Sequence, residues 1–151
     1  MAYIECLMAI FVKRSFGLMK VAFHPENEAV AALGNKYKKE SVYVNNGFGD
    51  GTRLYKYAYS NVKIDLDGVL KNVSSDSKNT LLEYIDRFET WVKMDNDAER
   101  VSRYYFDRSI ISNDDYVYIV DKLYGGSKYS NFDVYYFDTG TKILYYFHHD
   151  T

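Results

Sequence analysis

The sequence predicts an α+β fold in which an antiparallel sheet, ending in a C-terminal three-stranded meander, packs on two central helices. Aromatic and β-branched residues are dense in residues 116–124, 132–138 and 142–148, and glycine-containing turns separate these three segments. Apolar residues recur at helical spacing between residues 80 and 92. Two helices followed by a meander do not form the alternating units that build a parallel sheet.

Length and composition predict a single domain, residues 1–151, in a reducing compartment, which we interpret as the cytoplasm. A chain of 151 residues with one proline, no evident linker and no repeat of fixed period fits one hydrophobic core. Cys6 is the only cysteine, so no disulfide can form within the chain.

The charge balance argues against extended nucleic-acid binding. The formal net charge is −2, whereas nonspecific nucleic-acid binding normally shows as a basic stripe. The densest basic stretch is Lys36-Tyr37-Lys38-Lys39, and Glu40 follows it at once. Charges of both signs are otherwise mixed along the chain, as on an ordinary soluble surface.

The N-terminal region is apolar, but it lacks the charge pattern of a secretory signal and the length of a membrane span. Glu5 precedes the apolar run at residues 6–12, and Lys13-Arg14 follows it. We therefore predict a buried element and no membrane association. Residues 3–12 and 18–23 form either a hairpin or a helix and a strand. Met19 could be a second start, which leaves open whether residues 1–18 belong to the fold.

The first half of the chain predicts one short helix and several strands. Pro25 in a first turn, acids beside it and Gly34 at the end are typical of a helix. Residues 41–45 and 53–59 are predicted as strands of a hairpin, joined by a glycine-rich loop. A further short strand is predicted over residues 61–66.

Two central helices follow. Thr80-Leu81-Leu82-Glu83 matches the capping box that marks a helix start, and the next apolar residues share one face. Asp95-Asn96-Asp97 interrupts this helix and predicts a cap for a second one, which is expected to run to about Arg108.

The meander strands have no purely polar face. Val134 and Tyr136 share one side of their strand, while Tyr135 and Phe137 share the other. A sheet with one wet side would alternate apolar with polar residues. We therefore expect the sheet to be covered on both sides by its own chain, with contact to another molecule as the alternative.

Tyrosine is the most informative residue type for function. The chain contains 17 tyrosines, many in doublets or alternating runs. Tyrosine offers much contact area for little lost side-chain freedom, which makes it a frequent interface residue. We predict a partner-binding surface that draws on Tyr55, Tyr57, Tyr59, Phe48, Tyr104, Tyr135 and Tyr146.

The predicted function is a non-enzymatic protein-binding protein, such as an inhibitor, an immunity protein or a phage anti-defence factor. Acidic residues could complement a basic target. No assembled catalytic set, metal site or cofactor motif is predicted. The loop at Gly47–Gly51 is expected to be a hairpin tip and not a phosphate cradle, because strand-like residues follow it. His148-His149-Asp150 is expected to be a polar tail.

Two other binding classes stay open. The aromatic sheet face could form a structural homo-oligomer, for example a homodimer. The alternating Tyr55, Tyr57 and Tyr59, with Arg53, Lys56 and Lys63 nearby, could instead form a small site for a nucleotide or RNA.

A short segment resembles an enzyme motif. The sequence from Val62 to Leu70 contains Asp65-Leu66-Asp67-Gly68, which resembles the first motif of the haloacid dehalogenase-like phosphatases. The resemblance implies Asp65 as nucleophile, Asp67 as acid/base and a magnesium ion, with Asp114-Asp115 as a possible distal acidic motif. It covers about nine residues, and that family carries the motif on a central parallel strand near the start of the chain.

Overall fold

The computed structural model describes residues 25–47, 51–64, 68–122 and 128–150. Several sequence predictions concern residues outside these ranges. These are the elements predicted before His24, the environment of Cys6, the hairpin tip with Phe48, the pair Asp65 and Asp67, and the turn at residues 125–127.

One antiparallel sheet of six strands forms the centre of the described chain. The strands are β1 (Tyr37–Asn46), β2 (Gly51–Tyr59), β3 (Lys71–Asn72), β4 (Tyr116–Asp121), β5 (Phe132–Asp138) and β6 (Ile143–Asp150). Their order across the sheet is β1-β2-β6-β5-β4-β3. This arrangement, with its helices, confirms the predicted α+β fold and the C-terminal meander of β4, β5 and β6.

The pairing of β2 with β6 joins the N-terminal hairpin to the meander. Tyr55 lies opposite Tyr146, and Leu54 lies opposite Phe147. No sequence pattern predicted this pairing, because it joins segments about 90 residues apart. Every pairing in the described sheet is antiparallel, unlike the parallel sheet that the phosphatase resemblance implies.

The principal helix begins earlier than predicted. Helix α2 (Ser75–Lys93) follows the short helix α1 (Pro25–Ala31), and its capping box is formed by Ser74 and Ser77. The box predicted at Thr80 is wrong, because the Thr80 hydroxyl lies inside the helix and donates to the Asp76 carbonyl at 3.0 Å. The predicted apolar face is confirmed by four buried side chains: Leu81, Ile85, Phe88 and Val92.

The second central helix is shorter than predicted. Helix α3 (Ala98–Arg103) is capped by the Asp97 side chain, as the sequence indicated, but the chain becomes extended at Tyr104. A separate 3-10 turn occupies Arg108–Ile110, and Asp107 caps it by accepting from the Ser109 amide at 2.9 Å. A second capping aspartate therefore divides the segment that was predicted as one helix.

The strand predicted over residues 61–66 is absent from its described part. Residues 61–64 are irregular, and the Lys63 amide donates to the Leu33 carbonyl at 3.3 Å. Val62 and Ile64 pack against the sheet from one side instead of joining it. The alternating apolar residues Val62 and Ile64 therefore cover the sheet and do not belong to one of its strands. Gly34 ends the first helical region at φ +123°, a conformation that favours glycine.

The sheet is covered on both faces by the described chain, as predicted. Residues of α2 and α3 cover the first face, which carries Leu54, Val134, Tyr136 and Phe147. The second face is covered by α1 and by four further apolar residues: Val62, Ile64, Val69 and Leu70. Every residue of β5 is buried, which explains why this strand has no polar side.

Asp115 ties the start of β4 to the turn between β5 and β6. The residue is 1% exposed, and its carboxylate accepts from the Ser112 amide at 2.7 Å and the Tyr136 hydroxyl at 2.7 Å. It also accepts from the Thr139 amide at 3.0 Å and the Thr139 hydroxyl at 3.1 Å. Burial acts to raise the pKa of Asp115, but these donors outweigh burial and lower it.

We predict that Asp115→Asn lowers the free energy of unfolding by about 2–3 kcal/mol, because a buried amide cannot replace the oxygen that it loses as an acceptor. Urea unfolding followed by circular dichroism measures the change. Asp114→Asn is the matched control, because Asp114 is exposed, and its effect should stay within about 0.5 kcal/mol. Equal effects of the two variants would contradict this role for Asp115.

We also predict that Asp115 contributes to acid lability. Its pKa is lower in the folded state than in the unfolded state, so its charge stabilises the fold above the unfolded-state pKa of about 4. That contribution is lost as the pH falls below this value. Between pH 5 and 2, the free energy of unfolding should fall less steeply for Asp115→Asn than for the wild type. Identical slopes in urea titrations across this range would refute the assignment.

Candidate interaction site

The structure buries most of the tyrosines that were predicted to bind a partner. Tyr57, Tyr59, Tyr135 and Tyr146 all lie in the core on the second sheet face. They are buried because α1 and the segment around residue 64 pack over this face. These four side chains are therefore not exposed contact residues, and this part of the predicted surface is corrected.

Stacked tyrosines cross four neighbouring strands on this face. Tyr55 stacks on Tyr146 with ring centroids 6.0 Å apart, and Tyr146 stacks on Tyr135 at 4.6 Å with only 6° between the planes. Tyr135 in turn stacks on Tyr118 at 5.8 Å. We call these four rings the tyrosine ladder. The Lys39 ammonium lies 4.2 Å from the Tyr55 ring centroid, at the outer end of the ladder.

Cross-strand register explains the tyrosine ladder. Tyr55 lies opposite Tyr146, Tyr146 opposite Tyr135, and Tyr135 opposite Tyr118. Residues directly opposite each other in a sheet bring their side chains together. The ladder therefore stabilises the sheet. Of the three alternating tyrosines of the predicted nucleotide or RNA site, Tyr57 and Tyr59 are buried and Tyr55 is half-buried. The nucleotide or RNA site and the homo-oligomer both stay predictions.

The hydroxyl of Tyr146 belongs to a buried polar cluster around Asp133. It donates to Asp133 Oδ1 at 2.8 Å, and His148 Nδ1 lies 2.7 Å from the same oxygen. Lys122 Nζ lies 2.7 Å from Asp133 Oδ2. Burial acts to raise the pKa of Asp133, but His148, Lys122 and Tyr146 together lower it. This cluster satisfies the hydroxyl of Tyr146 within the chain.

Tyr55 and Tyr104 are the half-buried members of the predicted surface. The Tyr104 hydroxyl donates to Glu89 Oε1 at 2.9 Å, and its ring packs edge-on against Tyr43. Burial is the largest cause that raises the pKa of Tyr104, and the Glu89 charge adds to it. A partner-binding role for these two residues, and for Phe48, stays a prediction.

An open groove beside α2 combines residue types that the sequence analysis did not group. It has a volume of about 330 Å³ and lies between the C-terminal part of α2 and residues 128–130. We call it the Trp91 groove; it is lined by Arg87, Thr90, Trp91, Met94, Lys128, Tyr129 and Ser130. A second depression of about 390 Å³ shares Arg87, Thr90 and Tyr129 with it.

Trp91, the only tryptophan of the chain, is held by the end of β6. Its ring stacks on that of His149 with centroids 4.5 Å apart and 21° between the planes. His149 is 3% exposed, and its Nδ1 lies 2.9 Å from the Thr52 hydroxyl oxygen. The prediction of a polar tail is therefore wrong for His149. Strand β6 continues to Asp150, and the Trp91 ring covers the His149 ring at this end of the strand. The half-buried Trp91 ring is therefore held in place by its own chain.

Met94 and Tyr129 form the other apolar parts of the Trp91 groove. Met94 is 63% exposed at the C-cap of α2. Tyr129 has φ 69°, a left-handed conformation that is unusual for a bulky side chain. Its ring packs edge-on against Tyr84 at 4.8 Å, and its hydroxyl donates to Glu83 Oε2 at 2.7 Å. These contacts hold the ring in place despite a backbone cost of about 1–3 kcal/mol.

Two cations lie over the Tyr129 ring. The Lys128 ammonium is 4.5 Å from the ring centroid, and the Arg87 guanidinium carbon is 5.4 Å from it. Such cation–ring contacts orient long side chains that would otherwise move freely. The groove thus contains the Tyr129 ring, held in place, with the positive charges of Arg87 and Lys128 beside it.

Sequence reasoning placed Trp91 only at the margin of a helical face and gave Met94 no role. The available signal was a large apolar residue at this margin, Trp91, together with a second one just past the end of the helix, Met94. The groove itself depends on residues 128–130, and their approach to α2 follows from tertiary packing.

No family model, curated protein or solved structure shows a significant match to this chain. Within the described ranges, no three His, Cys, Asp or Glu side chains are grouped closely enough to hold a metal ion. The helices of these ranges are all too short or too polar to cross a bilayer.

We predict that Tyr146→Ala lowers the free energy of unfolding by about 3–5 kcal/mol, because it removes a buried ring and leaves Asp133 with one donor fewer. Tyr105→Ala is the matched control, since Tyr105 is 65% exposed, and its effect should be about 0.5 kcal/mol or less. Denaturant unfolding of both variants tests the distinction. A small loss for Tyr146→Ala would show that the ladder is not structural.

Proposed function

We propose that this chain is a non-enzymatic protein-binding protein whose partner occupies the Trp91 groove. The observation that carries the proposal is the composition of this groove. Tryptophan, tyrosine, methionine and arginine are the residue types most enriched where proteins meet, and here they line one open surface. Trp91 and Tyr129 are already held by their own neighbours, so their side chains lose little further freedom on binding.

The buried charges of the described chain fit structural roles better than catalytic ones. Asp115 and Asp133 each accept from several donors of the chain itself. Neither residue lines the Trp91 groove. An open groove with anchored aromatic rings suits the surface of a folded partner.

Acidic side chains beside the groove suit a partner with basic residues. Glu83 and Asp86 line the adjoining depression and are both exposed. Asp86 also pairs with Arg108 at 2.6 Å, so part of its charge is offset within the chain. Such rim charges influence the rate and specificity of association more than its strength.

In its finer form, the proposal is an inhibitory role in the cytoplasm, of the kind served by immunity proteins and phage anti-defence factors. Small size, slight net acidity and a preformed aromatic contact surface support this form. The inference rests on analogy with proteins of similar size and charge.

We predict that Met94→Lys and Thr90→Lys each weaken partner binding by roughly tenfold or more, because each adds positive charge to a groove that already contains Arg87 and Lys128 and that is proposed to receive a basic partner. Affinity capture from host cells, with wild-type and variant chains as bait, identifies the partner. Titration of the purified partner then measures affinity, and Trp91 fluorescence reports occupation of the groove.

Asn113→Lys is the matched control, because it adds the same charge at an exposed position that does not line the groove. It should bind as the wild type does, and all three variants should unfold at nearly the same denaturant concentration. A partner held equally by both groove variants would place the contact elsewhere. Failure to recover any partner with the wild-type chain would remove support for the function itself.

A further inference from the structure

The outer side of β1 is a long open edge of the described sheet. β1 is the terminal strand in the sheet order and pairs with β2 on its inner side. The strand contains ten residues, whereas β3 at the opposite end contains two. An edge strand presents main-chain N–H and C=O groups that can pair with another extended chain.

The first half of this edge is basic. Every residue of the segment Lys36–Ser41, which we call the lysine edge, is exposed. The segment contains three lysines and one acid: Lys36, Lys38, Lys39 and Glu40. Glu40 lies opposite Lys56 on β2, so a cation of the neighbouring strand offsets its charge. The exposed Lys36 and Lys38 therefore give this edge positive charge on a chain whose net charge is −2.

The second half of the edge adjoins a recess. The register of β1 with β2 shifts between Ser41 and Tyr43, and a recess of about 290 Å³ lies beside this point, between β1 and α3. Arg100 and Arg103 line the α3 side of the recess. Asp95 pairs with Arg100 at 2.6 Å, and Glu99 pairs with Arg103. These pairs leave a locally balanced recess that suits an uncharged side chain.

We propose that β1 receives an extended, acidic segment of a partner protein as an additional strand of the sheet. The main chain of the segment pairs with the outer edge of β1. Its acidic side chains lie beside the lysine edge, and an uncharged side chain enters the recess next to α3. This surface is separate from the Trp91 groove, so the inference does not depend on the function proposed above.

Charge distinguishes this occupant from the two competitors. A second copy of the chain, paired antiparallel along the whole of β1, would place the uncharged residues 42–46 opposite the lysine edge and so would bring no acid to it. Pairing that overlaps only the lysine edges would set like charges directly opposite each other, which is unfavourable. A nucleic acid would match the charge but has no peptide groups to pair with the open edge. An acidic extended peptide satisfies both the lysines and the main chain.

The probe is a fluorescein-labelled ten-residue peptide that alternates glutamate with valine or threonine, measured by fluorescence anisotropy on the full chain. We expect binding that weakens as salt is added, and no binding of the same peptide with lysine in place of glutamate. The double variant Lys36→Glu/Lys38→Glu should bind at least tenfold more weakly. The control Lys71→Glu/Asn72→Glu/Asn113→Glu makes the same change in net charge at exposed positions on β3 and in the turn before β4, at the opposite end of the sheet from β1, and should bind within twofold of wild type.

Main-chain pairing is tested with two further peptides, N-methylated at odd or at even positions. Successive residues of a strand direct their N–H groups to opposite sides, so one methylated peptide should lose binding and the other keep it. Equal binding of both would show simple charge attraction and overturn strand addition. Absence of binding, equal competition by a single-stranded oligonucleotide, or a self-association that Lys36→Glu/Lys38→Glu changes would also overturn the proposal.

Discussion

The structure depends on an antiparallel sheet whose central strands are covered on both faces. β5 is buried along its whole length, and β6 is buried over most of its length, so neither strand can spare a face for solvent. Large aromatic side chains fill both layers, packed mainly edge-on beneath α2 and α3 and stacked in the tyrosine ladder on the other face. Burial of this much aromatic surface supplies the main favourable term in folding.

Tyrosine brings a polar atom into such a core, and this chain satisfies several of these hydroxyls with carboxylates. Asp115 receives the hydroxyl of Tyr136 on one face, and Asp133 receives that of Tyr146 on the other. A hydrogen bond from a buried donor prevents the cost of an unsatisfied polar group. The same carboxylates also join distant segments, since Asp115 holds the turn at Thr139 and Asp133 pairs with Lys122. Asp115, one of the two residues of the distal acidic motif that the phosphatase resemblance implied, thus supports the core.

Many of the tyrosines are buried in the core on the two faces of the sheet. The two surfaces proposed for recognition therefore lie at the margins of the sheet. The Trp91 groove forms where α2 ends beside the end of β6, and the lysine edge forms where the sheet stops at β1. The two surfaces differ in character: the first consists of aromatic side chains held by their own neighbours, and the second is the outer edge of a terminal strand of the described sheet.

The sequence by itself determined the fold class, several local elements and the doubly covered sheet. The density of aromatic and β-branched residues identified β5, periodicity identified the apolar face of α2, and Asp97 identified the start of α3, because each of these signals depends on residues close together in the chain. Only the tertiary structure decided that β2 pairs with β6, that Tyr135 and Tyr146 face the core, and that residues 128–130 approach Trp91. A tyrosine has the same sequence signature whether it is buried or exposed, and the packing of distant segments over it makes that choice.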